Sequence, residues 1–180
     1  MRKPIHLDEN NNTWVTEGKI TFQNYTTKYR LDTGTVLNNL NIEIKPGEKI
    51  GVVGRAGAGK TTILSAICRF IEAIEGKIEI DGVDISQVGL DDLRENISVI
   101  PQEPAIFENT LRFNIDPNEK TSDEHIIELL TRASLQNLIL QSTEGLDLQI
   151  KNWDLSLGQK QLICICRSIL TVSDAILCSM

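Results

Sequence analysis

A glycine-rich loop that ends in lysine and threonine is the clearest chemical signal in this sequence of 180 residues. The stretch Gly54-Arg-Ala-Gly-Ala-Gly-Lys60-Thr61 fits the pattern GxxxxGK[ST]. Glycines let the backbone curl so that successive N–H groups point at phosphate oxygens, and a following helix adds its positive end. Lys60 can reach the β- and γ-phosphates, and the Thr61 hydroxyl can ligate Mg²⁺. The loop therefore predicts a nucleoside triphosphate site, although a glycine-rich turn before Lys-Thr is the alternative.

The elements predicted around this loop are those that a phosphate site needs. Apolar residues predict a strand at Ile50–Val53 that leads into the loop, and the apolar spacing of Thr61–Ile71 predicts the helix that follows. Asp81-Gly82 predicts a hairpin turn. Further strands are predicted at residues 19–22, 40–44, 77–80, 83–85, 96–100 and 175–180.

The middle of the chain has a different pattern. Residues 109–140 show helical spacing, and a capping box at Thr121-Ser-Asp-Glu124 predicts where one helix begins. A second helix is predicted from Ser156 to Leu170. The order is thus β-rich, α/β, helical insert and α/β again, which is an α/β class of fold.

Composition excludes several classes of function. Lys and Arg number 18 against 25 Asp and Glu, so the net charge is -7, and no basic field exists for nucleic acid or an anionic membrane. The opening Met1–Asn12 is polar and lacks the apolar core of a signal peptide, and no apolar run is long enough to cross a bilayer. The cysteines lie among aliphatic residues without CxxC spacing, which predicts buried thiols in a reducing compartment.

Two further segments distinguish this loop from that of a small-molecule kinase: Val99–Pro104 after a predicted strand, and Leu155–Gln159 at the start of a helix. With them the sequence resembles the nucleotide-binding domain of ABC transporters, and most of all the second such domain of the C subfamily, the multidrug-resistance-associated type. The resemblance extends from about Trp14 to Met180. Its matching stretches are Asn24–Arg30, Pro46–Gly54, Gly89–Arg94, Ile100–Phe107, Thr110–Pro117 and Ser156–Leu162.

The resemblance implies a P-loop NTPase core with an N-terminal antiparallel β subdomain and a helical insert, which is the ABC ATPase fold in a C-terminally incomplete form. Residues 1–13 are then a polar N-terminal segment, and residues 14–180 are the nucleotide-binding domain. Within it, the β subdomain and P-loop core occupy 14–108, the helical subdomain 109–154, and the signature helix with a truncated Walker B strand 155–180.

The resemblance also implies roles for individual residues. Tyr29 matches the aromatic that stacks on adenine, and Gln102 matches the glutamine that contacts Mg²⁺ or the attacking water. The implied nucleotide-binding residues are Tyr29, Gly54, Arg55, Ala56, Gly57, Ala58, Gly59, Lys60, Thr61, Thr62 and Gln102, with Thr61 and Gln102 also serving the metal. The cofactors are ATP and Mg²⁺, and no residue is assigned as catalytic.

The signature motif consists of Leu155, Ser156, Leu157, Gly158 and Gln159. In the family it binds the γ-phosphate held by the Walker A loop of a second domain, so the resemblance implies a head-to-tail partner domain and a transmembrane domain as partners. A hydroxyl and N–H groups at a helix start suit an anion. Ser156 as an ordinary helix cap is the competing interpretation.

The sequence departs from the family in two places. Counted without a gap, Ser179 and Met180 occupy the positions of the Walker B Asp and Glu; in a register shifted by an insertion, the Asp-Glu pair would come after Met180. Neither register supplies a carboxylate within these 180 residues, and the switch histidine is absent from them. Lys151-Asn-Trp-Asp154 replaces a longer glycine-containing stretch before the signature and could shift it. Loss of a general base slows a reaction by ~10²–10⁴. We therefore expect the chain to bind ATP-Mg²⁺ but to hydrolyse it poorly.

The main hypothesis is the ATP-binding domain of an ABC-type exporter, attached to the cytoplasmic side of a membrane through its transporter, and soluble in the cytoplasm if expressed alone. A non-hydrolysing nucleotide-binding module or degenerate relic is the alternative, favoured by Ser179 and Met180. A small P-loop kinase is a third hypothesis, although a β-rich segment before the loop and the signature helix both argue against it.

Overall fold

The computed structural model describes residues 14–30, 32, 34–140, 142–171 and 176–178. The polar N-terminal segment and the two positions at Ser179 and Met180 lie outside the described residues. The chain divides into two compact units, the first up to Ile97 and the second from Ser98. The subdomain limits expected at residues 108 and 154 stay a prediction.

The first unit contains a four-stranded antiparallel sheet, whose strands are β1 (Ile20–Thr27), β2 (Leu37–Ile44), β3 (Glu75–Ile80) and β4 (Val83–Asp84). Their order in the sheet is β2-β1-β3-β4. Ile20 of β1 lies opposite Ile44 of β2 and Ile80 of β3, so apolar residues share one face. Phe22 is buried on the same strand. The antiparallel N-terminal sheet expected from the sequence is thus observed.

The turn between β3 and β4 is the predicted Asp81-Gly82 hairpin. Both residues have positive φ, 49° and 80°, as a type I′ turn requires. The Asp81 carboxylate also accepts hydrogen bonds from the backbone N–H groups of Thr16, Glu17, Gly18 and Lys19, at 2.7 to 3.1 Å. This turn therefore ties the segment that precedes β1 to the sheet.

Two helices complete the first unit, α1 (Lys60–Ile67) and α2 (Leu90–Glu95), with a 3₁₀ turn at Ile85–Gln87. Helix α1 ends four residues before the predicted end at Ile71, because Arg69 adopts a left-handed conformation at φ 50°. The backbone N–H of Phe70 donates to Ser65 O and closes this helix end.

The second unit is mainly helical. Its helices are α3 (Leu111–Ile115), α4 (Asp123–Arg132), α5 (Gln136–Leu140) and α6 (Leu157–Thr171), with 3₁₀ turns at Gly145–Asp147 and Asn152–Asp154. Strands β5 (Ser98–Ile100) and β8 (Ile176–Cys178) pair in parallel, whereas β6 (Asn109–Thr110) and β7 (Gln149–Ile150) pair antiparallel. The fully buried Leu111, Ile115, Ile126, Leu130 and Ile163 form the centre of its core.

Two local predictions are wrong. Residues 50–53 form no strand, and Val53 is 96% exposed, because the described residues provide no neighbouring strand to pair with this apolar segment. The cap of α4 is Ser122 and not Thr121, and its hydroxyl accepts from the His125 N–H at 3.5 Å. Among the described residues, no helix has the length and apolar character needed to cross a bilayer.

Candidate nucleotide-binding site

The glycine-rich loop lies between β2 and α1 and is shaped by residues without side chains. Gly57 and Gly59 adopt φ values of 78° and 86°, which other residues rarely adopt. A Cβ atom at Gly59 would lie 3.1 Å from the Leu37 side chain and 3.4 Å from the Val36 carbonyl oxygen. The loop therefore packs closely against the beginning of β2, and a larger residue at position 59 would displace it.

Lys60 places its charge across the mouth of this loop. Its ammonium donates hydrogen bonds to the carbonyl oxygens of Gly54 and Arg55, at 2.7 and 2.9 Å. The side chain is half-buried, so its positive charge is fixed over the curve of the loop and does not extend into solvent. An anion entering the loop would meet this ammonium directly.

The first turn of α1 leaves donors and positive potential for a ligand. Gly59 caps the helix without a side-chain hydrogen bond, and no acidic residue lies in the first turn. The first N–H groups of any helix have no partner within the helix, and its N-terminus carries a partial positive charge. The Thr61 side chain is exposed in this turn, whereas Thr62 is buried. Together these features fit a polyphosphate.

Tyr29 lies beside the loop although 33 positions separate it from Thr62. It follows β1, and its hydroxyl shares a hydrogen bond of 2.9 Å with Thr62 Oγ1. The residue is 56% exposed, so the bond fixes the phenol end while much of the ring stays open to solvent. The structure thus brings together two residues to which the family resemblance assigns adenine stacking and phosphate binding.

Gln102 belongs to the second unit, where it is exposed two residues after β5 ends at Ile100. In the part of the chain that the structure describes, no group of three His, Cys, Asp or Glu side chains is placed to hold a metal ion.

The signature residues form a closed capping box at the start of α6. The Ser156 N–H donates to Gln159 Oε1 at 2.9 Å, and the Gln159 N–H donates to Ser156 Oγ at 3.2 Å. Because Ser156 Oγ accepts one bond, its own proton remains to be donated outward. The cap at Ser156 is as the sequence predicts. The partnership with Gln159 was not predicted, although the pattern S-x-x-Q that signals it is present in the sequence.

A second network that the sequence did not reveal supports the segment after Gln102. Arg167 of α6 donates to Asn114 O at 2.7 Å and to Ala105 O at 3.1 Å, and its guanidinium lies 5.0 Å from the centre of the Phe107 ring. The buried Asn114 amide in turn bonds both the N–H and the carbonyl of Phe107, at 2.8 and 2.9 Å. Residues 105–107 are therefore fixed to the helix that begins at the signature.

Three of the four cysteine side chains lie in the part of the chain that the structure describes. Cys68, Cys164 and Cys166 are free and buried, whereas the side chain of Cys178 lies outside the described residues. Burial raises the pKa of Cys68, and it raises the pKa of Cys166 to about 11. These two side chains remain neutral thiols at physiological pH, as the buried-thiol prediction expects.

A glycine-rich loop that precedes an uncapped helix and carries its lysine defines a P-loop nucleotide-binding domain. The sequence model of a family described as ABC transporter matches residues 37–178. The chain therefore belongs to the ABC transporter family, and it is an ATP-binding domain of the kind found in ABC exporters.

Individual relatives agree with this assignment. The chain is 50% identical over 166 residues to the vacuolar heme ABC transmembrane exporter abc3 of Schizosaccharomyces pombe, covering 91% of this chain and 11% of that protein. It is 46% identical over 163 residues to the metal resistance protein YCF1 of Saccharomyces cerevisiae, covering 89% and 11%. It is 43% identical over 162 residues to human ATP-binding cassette sub-family C member 2, covering 89% and 10%. The resemblance to the C subfamily is thus confirmed.

A solved structure shows the same fold. A bacterial Atm1-family ABC exporter with ATP bound aligns at a TM-score of 0.84 and 28% identity, covering 98% of this chain and 32% of the exporter chain. The expected ABC fold is confirmed. The chain spans only about a tenth of the length of the curated relatives that it matches.

Proposed function

We propose that this chain binds Mg²⁺-ATP at residues 54–62 and couples the binding and hydrolysis of ATP to export in a complete transporter. The observation that carries the proposal is the position of the Lys60 ammonium over the loop, next to a helix end without an acidic or capping side chain. A positive charge and unpaired N–H groups at one point favour a polyphosphate.

The remaining contacts follow from the same arrangement. The Thr61 hydroxyl is exposed at the helix end and would be a ligand of Mg²⁺, with Gln102 as the second protein ligand. Tyr29, fixed through Thr62 and half open to solvent, would stack on the adenine ring. When bound, Mg²⁺ would neutralise phosphate charge.

The partners of this domain would be a second nucleotide-binding domain and a transmembrane domain. The Ser156 hydroxyl, which accepts from Gln159 and keeps its own proton, would donate to the γ-phosphate held by the second domain in a head-to-tail pair. The transmembrane domain would hold this domain at the cytoplasmic side of a membrane.

A binding experiment on the 180-residue chain tests this proposal. We expect titration with Mg²⁺-ATP to give saturable heat in calorimetry, and Lys60→Ala to weaken binding by about tenfold to a hundredfold, because a charge-assisted contact is lost. Lys45→Ala removes an exposed lysine from the turn that precedes the loop and serves as the matched control.

The proposal fails if Lys60→Ala and Lys45→Ala bind equally well, or if the folded wild-type chain binds no nucleotide. Far-ultraviolet circular dichroism of both variants verifies that the fold is retained.

A further inference from the structure

Two large apolar side chains beside the signature remain outside the core. Trp153 is 71% exposed and Leu157 is 63% exposed, although Leu155 between them is buried. Burying an indole and an isobutyl group is favourable, so a sequence that leaves both in solvent forgoes that stabilisation. Adjacent exposed apolar groups around polar donors are typical of surfaces that bind another protein. We refer to Trp153, Leu157 and the Ser156 hydroxyl as the signature patch.

Local hydrogen bonds and packing hold the backbone of Trp153 in a defined conformation. The residue lies in the 3₁₀ turn Asn152–Asp154, where the Asp154 N–H donates to Lys151 O at 3.0 Å. The Lys151 ammonium lies 5.6 Å from the centre of the indole ring, within the range of a cation–π contact. Buried Leu155 on one side and the capping box of α6 on the other fix both ends of the patch. Little ordering entropy would therefore be lost when a partner covers it.

The charges on this stretch indicate which partner fits. Lys151 and the first-turn donors of α6 are positive or hydrogen-donating groups in a chain whose net charge is -7, with Asp154 as the one acidic side chain between Lys151 and Ser156. A triphosphate bound to a partner meets these donors with complementary charge, whereas two copies without nucleotide, each with a net charge of -7, repel one another overall and bring no phosphate to these donors.

We infer that Trp153 and Leu157 are the apolar anchor against which a second, ATP-loaded nucleotide-binding domain packs. The inference rests on the proposed function, and it assigns a role to the stretch Lys151–Asp154, in which this sequence departs from the family. The indole and the Leu157 side chain exclude water around Ser156 when the partner arrives, which strengthens the hydrogen bond from the hydroxyl to phosphate.

The two tryptophans of the chain allow a direct test. In a Trp14→Phe background, Trp153 is the only tryptophan, and its emission reports whether it leaves water. Mg²⁺-ATP is added over a range of chain concentrations while sedimentation velocity follows the formation of dimers of this chain. We expect dimers that require ATP, with Trp153 emission moving to shorter wavelength in proportion to the dimer fraction.

Substitutions in the otherwise wild-type chain measure the contribution of the anchor. Trp153→Ala should weaken ATP-dependent association by about tenfold or more, as truncation of a central interface tryptophan does, and Trp153→Phe should retain most of it. Phe70→Ala is the matched control, because Phe70 is also an exposed aromatic (67%) with a cation, Arg94, 4.9 Å from its ring centre. This control should associate as the wild type does.

Dimers that form with unshifted Trp153 emission, or equally well in Trp153→Ala, would overturn the inference and leave ATP binding and pairing intact. A chain that binds ATP in calorimetry and never associates would overturn the inference together with the head-to-tail pairing. Loss of calorimetric ATP binding itself is the separate failure of the proposed function.

Discussion

The signature serine depends on a neutral side chain three residues away. Gln159 accepts the Ser156 N–H through its amide oxygen and returns its own N–H to Ser156 Oγ. Glutamate commonly fills this position in capping boxes and would make the same bond. It would also place a negative charge where the proposed phosphate arrives. The amide of Gln159 therefore keeps the cap without repelling an anion.

Two substitutions of Gln159 separate capping from anion binding. Gln159→Ala removes the acceptor for the Ser156 N–H and should lower the free energy of unfolding by about 0.5–1 kcal/mol. Gln159→Glu keeps the acceptor and should leave that free energy within about 0.5 kcal/mol of the wild type, since a carboxylate in a first turn is itself favourable. Urea unfolding at neutral pH measures both.

The same variants should differ in ATP-dependent association. Gln159→Glu should associate more weakly than the wild type although it is as stable. If Gln159→Glu unfolds at the same urea concentration as Gln159→Ala, the hydrogen bond to Ser156 is not what this side chain contributes.

At the scale of helices and strands, predictions from local chemistry were correct where the cause is local. The Asp81-Gly82 turn and the cap at Ser156 depend on residues within three positions of each other. At α4 two adjacent hydroxyl residues, Thr121 and Ser122, both suit a cap, and the structure places the cap at Ser122, whose backbone is extended (φ -70°, ψ 155°). Sequence alone does not separate such neighbours.

Predictions that needed distant partners were wrong or missing. The apolar run Ile50–Val53 has the composition of a strand, but a strand also needs a neighbour to bond, which composition does not report. Arg167 bonds Asn114 from 53 positions away, and no spacing rule anticipates this contact. The phosphate loop was predictable because its donors are consecutive in sequence, whereas the placement of Tyr29 on Thr62 was predictable only through resemblance to a family.

The hydrogen bonds between the Asp81 carboxylate and the backbone of residues 16–19 should make the stability of the first unit depend on pH. Burial raises the pKa of Asp81, but the hydrogen bonds from the backbone N–H groups of Glu17, Thr16, Lys19 and Gly18 together lower it by more than burial raises it. The pKa of Asp81 therefore lies below its ordinary value. A carboxyl whose pKa is lower when folded stabilises the fold above its unfolded pKa, about 4, and this contribution is lost as pH falls through the folded value.

Asp81→Asn tests the contribution of these hydrogen bonds while preserving the turn, because asparagine before glycine suits the same positive φ. At pH 7 we expect the free energy of unfolding to fall by about 1–3 kcal/mol, since a charged acceptor of several N–H groups is lost. The difference from the wild type should shrink as pH falls below about 4. Asp84→Asn, which removes a carboxylate that accepts from the Ser86 N–H, is the matched control. A difference that stays constant with pH would contradict the assignment.

At the scale of the whole chain, binding and hydrolysis of ATP depend on different residues. The donors that we propose for phosphate lie in the described loop and the first turn of α1, whereas the positions that in the family carry the Walker B carboxylates are Ser179 and Met180 in the gap-free register. A hydroxyl and a thioether neither take a proton from water at neutral pH nor supply the anionic oxygen that Mg²⁺ favours. Binding without rapid turnover is therefore the expected behaviour of this polypeptide.

A turnover assay on the 180-residue chain measures that separation. Phosphate release at saturating Mg²⁺-ATP should be about 10²- to 10⁴-fold slower than in an ABC domain with both carboxylates, and close to the Lys60→Ala background. Calorimetry on the same preparation should still show saturable binding, because the loop and the first turn of α1 do not involve residues 179 and 180. Turnover within tenfold of the carboxylate-bearing domain would mean that another group activates water here. The chain would then hydrolyse ATP by itself, and its function would not be limited to ATP-dependent association with a partner domain.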